Sequence, residues 1–581
     1  MGGAADAYAY RCLGALMILT CCAGAMQARA DDDLPTRVGR VSDFGGDFYL
    51  APQDRATEWA TIGVNYPVTS GDNLWVAPRG HAEIDFGSGQ LRLAGDINLQ
   101  ISVLDEHRFA LYVASGRVIL RIRTLEPGDS ALVDTPHAEI RIDYPGLYRI
   151  DVAPERQQTT LIVREGDAQV RFGGGTQQVL PGQMATIGAA DSAGIALQTG
   201  LGSDGFDAWS AVRDRRYDSS TSGRYVSSEM VGATDLDSYG AWESYATYGN
   251  VWFPTTVAVG WAPYRFGRWA WVGPWGWTWV DDAPWGYAPF HYGRWVWLSG
   301  RWGWCPGAFV RRPVWAPALV GWFGGPGWAF STSLGAAVYG WLPLGWGDSF
   351  RPHWRCSASC RRALNHPFAA DVAGSPAVPV RLANSEVPAA MTWVPGYVLT
   401  SGKTVAINLV RPPPSVLSGA PVLATATLAR GDPSSMARRP VGAPPPAALL
   451  RRGPPASIPS ALANAPLTST PGQAPPRAHA PMAPTRVYGG VTDGRGAYTG
   501  VVPTPGPKLP ASVDRGVAVY PATIYPVVPA VRPSFAPATP SGVVPEARHV
   551  IPRDAAARNV PVPAANPSAG VTPAPTAPGA K

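Results

Sequence analysis

Apolar and polar positions alternate with a period of two through much of residues 37–200. Val118-Ile-Leu-Arg-Ile-Arg123, Ala138-Glu-Ile-Arg-Ile-Asp143 and Thr159-Thr-Leu-Ile-Val163 read as strands with one face toward a core. Gly80, Gly87-Ser-Gly89, Pro127-Gly128, Pro145-Gly146 and Gly173-Gly-Gly175 separate them with turn residues. Short strands punctuated in this way predict an all-β roll, sandwich or barrel, and about 160 residues are enough for one independent core. The period then changes. Phe206-Asp-Ala-Trp-Ser-Ala-Val-Arg-Asp-Arg-Arg-Tyr217 puts Phe206, Trp209, Val212 and Arg213 on one side of a short amphipathic helix, with Ser203 or Asp204 as its cap.

Alternation returns in Trp-rich form between Trp261 and Gly307. Trp261-Ala-Pro-Tyr-Arg-Phe-Gly-Arg-Trp269-Ala-Trp271 recurs as Tyr287-Ala-Pro-Phe-His-Tyr-Gly-Arg-Trp295-Val-Trp297 at an offset of 26 residues, and Trp275-Gly-Trp277 recurs as Trp302-Gly-Trp304. This spacing predicts a duplicated hairpin, turned at Gly273-Pro274 and at Ser299-Gly300. Residues i and i+2 share a strand face, so Trp269 projects with Trp271, and Trp275 and Trp277 with Trp279. Glycine between two tryptophans leaves room for a large neighbour across the strand. Arg268 and Arg294 stand one position out of phase, where they can cover aromatic faces. Two readings of the indoles follow. They form the core of a domain poor in aliphatics, or they leave one face open as a platform for sugar rings or a Pro-rich peptide. The candidate platform is Trp269, Trp271, Trp275, Trp277, Trp295, Trp297, Trp302 and Trp304 with Arg268 and Arg294.

Two family resemblances rest on these residues. Leu111-Tyr-Val-Ala-Ser-Gly-Arg-Val118, Val133-Asp-Thr-Pro-His-Ala-Glu-Ile140, Leu161-Ile-Val-Arg-Glu-Gly166 and Leu180-Pro-Gly-Gln183 follow one another in the order seen in FecR-like periplasmic domains. Residues 37–200 therefore resemble that β-rich family, some members of which relay a surface signal to a sigma-factor system. Relay members carry a cytoplasmic segment and a transmembrane helix ahead of the domain, whereas here a leader alone is expected. Phe206-Asp-Ala-Trp209, Asp214-Arg-Arg216, Tyr239-Gly240, Val251-Trp-Phe-Pro254, the 26-residue repeat, Pro317-Ala-Leu-Val320, Gly340-Trp-Leu-Pro-Leu344 and Asn384-Ser385 are similar to a Trp-rich domain of unknown function found behind FecR-like domains in proteobacterial envelope proteins. That likeness spans 206–405 and implies a second β domain without assigning it an activity.

Residues 1–30 read as a cleaved leader, with Arg11 before an apolar run and Ala28-Arg-Ala30 as the cleavage site; Cys21 leaves lipidation as an alternative. No later apolar run is long enough for a transmembrane helix. The mature chain is expected to be periplasmic or secreted and associated with the envelope. Cys305, Cys356 and Cys360 remain after cleavage, and Cys356 with Cys360 is the candidate disulfide. From about residue 410 proline clusters such as Pro412-Pro-Pro414 and Pro444-Pro-Pro446 predict a disordered tail to residue 581. Residues 411–581 hold 16 Lys and Arg against 5 Asp and Glu, a net +11, while the whole chain is +6, so residues 1–410 are near −5. The basic charge thus belongs to the tail, which suits contact with acidic envelope surfaces and not nucleic-acid binding by the folded part.

No cofactor, metal set or catalytic constellation is expected. Asp281-Asp282, adjacent on a strand, points to opposite faces and suits a turn cap or a pair with Arg268 or Arg294 better than an acid/base couple. His353 with the two late cysteines falls short of a metal-ligand set. The expectation is a mainly β, non-enzymatic envelope interaction or scaffold protein that binds an envelope glycan or protein; the alternative is a FecR-type regulator without its own anti-sigma segment.

Overall fold

A long strand, Arg108–Ile122, organises the first half of the chain. A computed structural model describes residues 33–425 except 57, 174, 189–193, 370–380 and 388. The leader expected at 1–30, most of the extended segment expected around Val378 and the tail from 426 lie outside the described residues. The disordered tail expected from about residue 410 is structured at its start: Pro414–Leu417 is a helical turn, and Val422–Leu423 pairs with Trp322 and Phe323. The described residues belong to one compact unit, Met1–Gln473.

The first part of the long strand pairs with Ile97–Leu104 and, in parallel, with Ser130–Asp134. The second part, from Gly116, pairs with Gly89–Ala94 and Gly146–Ala153. One strand therefore serves two sheets, and it bends where it passes between them. Gly116 sits at that bend with φ +98°, and a Cβ there would lie 2.6 Å from Ile97 Cα. Side chains of both sheets meet in one core, including Val41, Ile84, Leu93, Leu120, Ile150 and Leu161 with Leu50, Leu74, Leu111, Val133, Ile140 and Val170. The expected all-β region is a two-layer roll running from Gly39 to Thr199.

The helix forms as Gly205–Asp218, here α1, capped by Asp204, whose carboxylate accepts from Phe206 and Asp207 N–H while Asp207 reaches back to the cap. The face it buries is in part the one anticipated: Trp209 is half-buried with its ring 4.8 Å from His81, and Phe206 packs against the Arg117 and Arg149 guanidinium groups. Val212 is 54% exposed, whereas Ser210 is buried and donor to acceptor pairs fasten the helix to the outer side of the roll. Arg92 donates to Ser210 at 2.7 Å, to Asp214 at 2.9 Å and to Glu83 at 2.9 Å, and Arg213 donates to Glu83 at 2.6 Å. The outward-facing positions of these strands are charged, so α1 docks chiefly by charge complementarity, with Trp209 and Phe206 packed against His81, Arg117 and Arg149. Burial alone would raise the Glu83 carboxyl, but the hydrogen bonds and charges of Arg213 and Arg92 outweigh it and hold the group at about 2.

The second half is a set of hairpins. Gly240–Tyr245 pairs with Gly249–Pro254, Gly267–Val272 with Gly276–Asp281, Arg294–Leu298 with Arg301–Cys305, and Val320–Gly325 with Val338–Pro343. Each places tryptophans opposite one another: Trp242 faces Trp252, Trp269 faces Trp279, Trp295 faces Trp304, and Trp322 faces Trp341. The 26-residue repeat captures only the middle two hairpins. The returning strand of the fourth, Val338–Pro343, pairs in turn with Thr392–Pro395. Ser299 and Gly300, at φ 49° and 81°, make the two-residue turn of the third. Gly303 has the role expected of a glycine between tryptophans, since a Cβ there would lie 2.7 Å from the Phe253 ring.

Candidate functional site

The indoles of the repeat lie mostly inside. Trp269, Trp275, Trp277, Trp295, Trp302 and Trp304 are buried, Trp271 is half-buried, and Trp297 alone of the eight is exposed, at 38%. Four hairpins turn their tryptophan faces toward one another, and this is why a platform of eight indoles does not form. Trp269 contacts Trp279, Trp322 and Trp341 with ring centroids at 5.3, 4.5 and 5.2 Å. The indole N–H groups of Trp295, Trp304 and Trp341 donate to the carbonyls of Pro289, Tyr292 and Tyr264 at 2.8–2.9 Å. Burying an indole with its polar end satisfied is the stable way to use it in a core. Trp275 does not project with Trp277 from a strand; it sits in the turn and packs on Trp315 at 5.3 Å.

The repeat arginines divide. Arg268 remains near the surface and pairs with Asp282 at 3.7 Å. Arg294 is buried and donates to Asn365 Oδ1 at 3.0 Å and to the carbonyls of Gly293, Asp348 and Leu364, with its guanidinium 4.7 Å from the Phe368 ring. Burial pushes it down to about 10. Asp281 caps a turn: its carboxylate accepts from Ala283 N–H and Trp279 Nε1, each at 2.9 Å. Cys356 and Cys360 are bonded, and Cys305 is buried as a thiol.

His291, at the repeat position of Arg265, is fully buried between Tyr287 and Trp315, with Nδ1 2.7 Å from the Ala316 carbonyl. Burial lowers its imidazole to about 3, the Ala316 hydrogen bond opposing only in part. The fold thus holds the ring neutral, while the unfolded chain takes up a proton below pH 6.5. Its contribution is full above that pH and is lost as pH falls toward about 3. The stability advantage of the protein over a His291→Gln variant should therefore shrink between pH 7 and pH 5 in thermal denaturation; an advantage that grows over that interval contradicts the neutral buried ring.

Buried polar contacts join the roll to the hairpins. Arg40 forms an ion pair with Asp235, and its guanidinium lies 5.6 Å from the Tyr287 ring. Asp85 accepts from Gly232 N–H at 3.1 Å, Tyr287 donates to Gly39 O at 3.1 Å, and Asn65 donates to the carbonyls of Asp281 and Ala283 at 3.0 and 2.7 Å. Arg311 pairs with Glu126 and Arg312 with Asp129 at the periphery.

The concave feature of this surface is a cavity of about 410 Å³, within the range of roughly 300–1,000 Å³ typical of small-ligand sites. Four separated segments build it, one of them Tyr292-Gly293. Tyr225, Val226 and Met230 precede the first hairpin, Phe309, Val314 and Leu319 follow the third, and the helix Ala358–Asn365 closes the far wall. Phe309 and Val310 stay 63% and 47% exposed at its mouth. The Cys356–Cys360 bond ties down the start of the wall helix, and the Ser357 hydroxyl caps it by accepting from Cys360 N–H. Of the Trp-rich repeat only Tyr292 and Gly293 reach the lining, and none of its tryptophans does. One signal was legible: Ser349 to Ala370 holds four arginines and no Asp or Glu, a basic stretch within the folded part rather than the tail.

A family of unknown function, DUF6600, matches residues 233–348, from the turn holding Asp235 through the fourth hairpin to Asp348. This falls inside the Trp-rich region expected at 206–405, over a narrower span. Two crystal structures of a candidate anti-sigma factor from Parabacteroides distasonis ATCC 8503, at 2.50 and 1.65 Å, are similar at 12% identity, with a TM-score of 0.20, over 22% of this chain and 59% of that one. The chain thus spans 59% of the length of that protein. No curated protein matches the chain.

Proposed function

We propose that the chain is a non-catalytic binding protein of the cell envelope, in which the roll and the Trp-rich hairpins form one scaffold and the binding surface is the apolar cavity at their margin. The observation that carries this reading is the combination of buried indoles with exposed apolar side chains at the cavity mouth. The tryptophans are used in packing, while Phe309 and Val310 remain in solvent beside an apolar recess. Such exposure on a packed protein marks an interaction site. The leader-like residues 1–30 and the bonded Cys356 and Cys360 fit an oxidising compartment outside the cytoplasm.

The test combines location with retention. Osmotic-shock fractionation of cells expressing the full chain should place it with the envelope and not with the cytosol. The purified protein should be retained on an envelope lipid or glycan fraction; a Phe309→Asp variant should lose retention and a Trp297→Ala variant should keep it. Cytosolic location sinks the envelope reading. Retention that depends on Trp297 and not on Phe309 returns the site to the indole surface.

A further inference from the structure

We infer that the cavity takes a single acyl chain carrying an anionic head, with the chain in the apolar recess and the head at Arg362. This deepens the reading of the cavity as the binding site and rests on it. The wall helix presents Ser359, Arg362 and Ala363 along the recess, at positions i, i+3 and i+4 of one helical face, and His366, in extended backbone just past its end, continues the lining. Small Ala363 keeps the opening wide, and the polar groups form a row beside it. The opposite wall is apolar, with Val226, Met230 and Leu319. None of the lining residues is acidic.

Charge decides the head group. Arg312 also lines the recess, but Asp129 takes its guanidinium and Glu229 lies 3.4 Å from its Nε. Arg362 is exposed, and among the described residues no carboxylate stands against its side chain. An apolar recess with one uncompensated cation at its rim favours a molecule of the complementary pattern: a hydrocarbon body ending in a carboxylate or phosphate. A neutral amphiphile forfeits the charge-assisted contact, and a compact anion forfeits the burial. Free acids and acyl chains held in a bilayer share this chemistry.

Isothermal titration of the full chain with dodecanoate, decanoate and dodecanol tests the inference. Dodecanoate should bind with one-to-one stoichiometry, and roughly fourfold more tightly per added methylene than decanoate. Dodecanol should bind at least tenfold more weakly, and so should dodecanoate to an Arg362→Glu variant. Ala363→Trp, which fills the recess from an exposed position, should abolish binding with the melting temperature unchanged. Absence of dodecanoate binding, equal affinity for dodecanol, or an unaltered affinity in Arg362→Glu would each overturn the inference. Cosedimentation with phosphatidylglycerol vesicles, lost in Arg362→Glu, identifies a bilayer-held chain as the source; dodecanoate binding without cosedimentation identifies a free acid. Retention on an envelope fraction through Phe309 without dodecanoate binding removes the ligand class alone, whereas loss of both removes the cavity reading as well.

Discussion

Replacing Trp341 with alanine should cost about 3–5 kcal/mol and take the Trp-rich hairpins out of their folded state. Trp341 is fully buried, its ring touches Trp269, Trp279 and Trp322, and its N–H donates to Tyr264 O at 2.8 Å. It comes from the fourth hairpin and closes on the second, so the cavity left behind would lie where two hairpins meet and could not collapse without moving one of them. Trp297→Ala is the control. That side chain is 38% exposed and packs mainly on Trp302 at 5.3 Å, so its loss should cost no more than about 1 kcal/mol. Urea denaturation followed by circular dichroism reads both. Equal effects of the two substitutions would contradict the assignment of core and surface.

The second large effect is expected at the junction. Arg40→Met should destabilise by about 3–5 kcal/mol, because it leaves Asp85 buried without its nearby cation and Asp235 with only the partly exposed Arg216. Arg40 stands on the first strand of the roll, 1% exposed, and Asp235 on the turn before the first hairpin, 6% exposed. Burial lowers the Arg40 pKa, and the charges of Asp235 and Asp85 more than reverse that, so the guanidinium stays charged in the fold. Arg40→Met combined with Asp235→Leu removes both charges and fills the space with apolar groups. The double variant should recover at least about 1 kcal/mol relative to the sum of the single losses. Simple additivity would mean that the pair does not couple the two halves.

What was legible in the chain follows from the range over which each feature is determined. The period-two pattern around Val118, Ile140 and Leu161, the Asp204 cap, the Ser299-Gly300 turn and the Cys356–Cys360 bond depend on neighbours in sequence, and each is found where the residues place it. The duplicated hairpin was readable because two copies stand 26 residues apart. The outer hairpins were not, since Trp242 and Trp322 each stand without a second tryptophan two positions on, and Trp322 meets Trp341 across a long connection. The docking face of α1 was legible only in part, for a related reason. Of the expected face Phe206, Trp209 and Arg213 meet the roll and Val212 does not, because strand positions such as Glu83 and Arg92 present charge to the helix, and only the tertiary fold brings them together. The burial of Trp269 and Trp295 and the recess beside Arg362 likewise arise from segments far apart in sequence.

The claim on which the rest depends is that the tryptophans form the interior and not the binding face. Oxidation of the native full chain with limiting N-bromosuccinimide, mapped by peptide mass spectrometry, tests it directly. Trp297 should be modified early, while Trp269, Trp295, Trp304 and Trp341 should stay protected until the protein unfolds. Early modification of Trp269 or Trp295 in folded protein would contradict the account and restore an open indole platform.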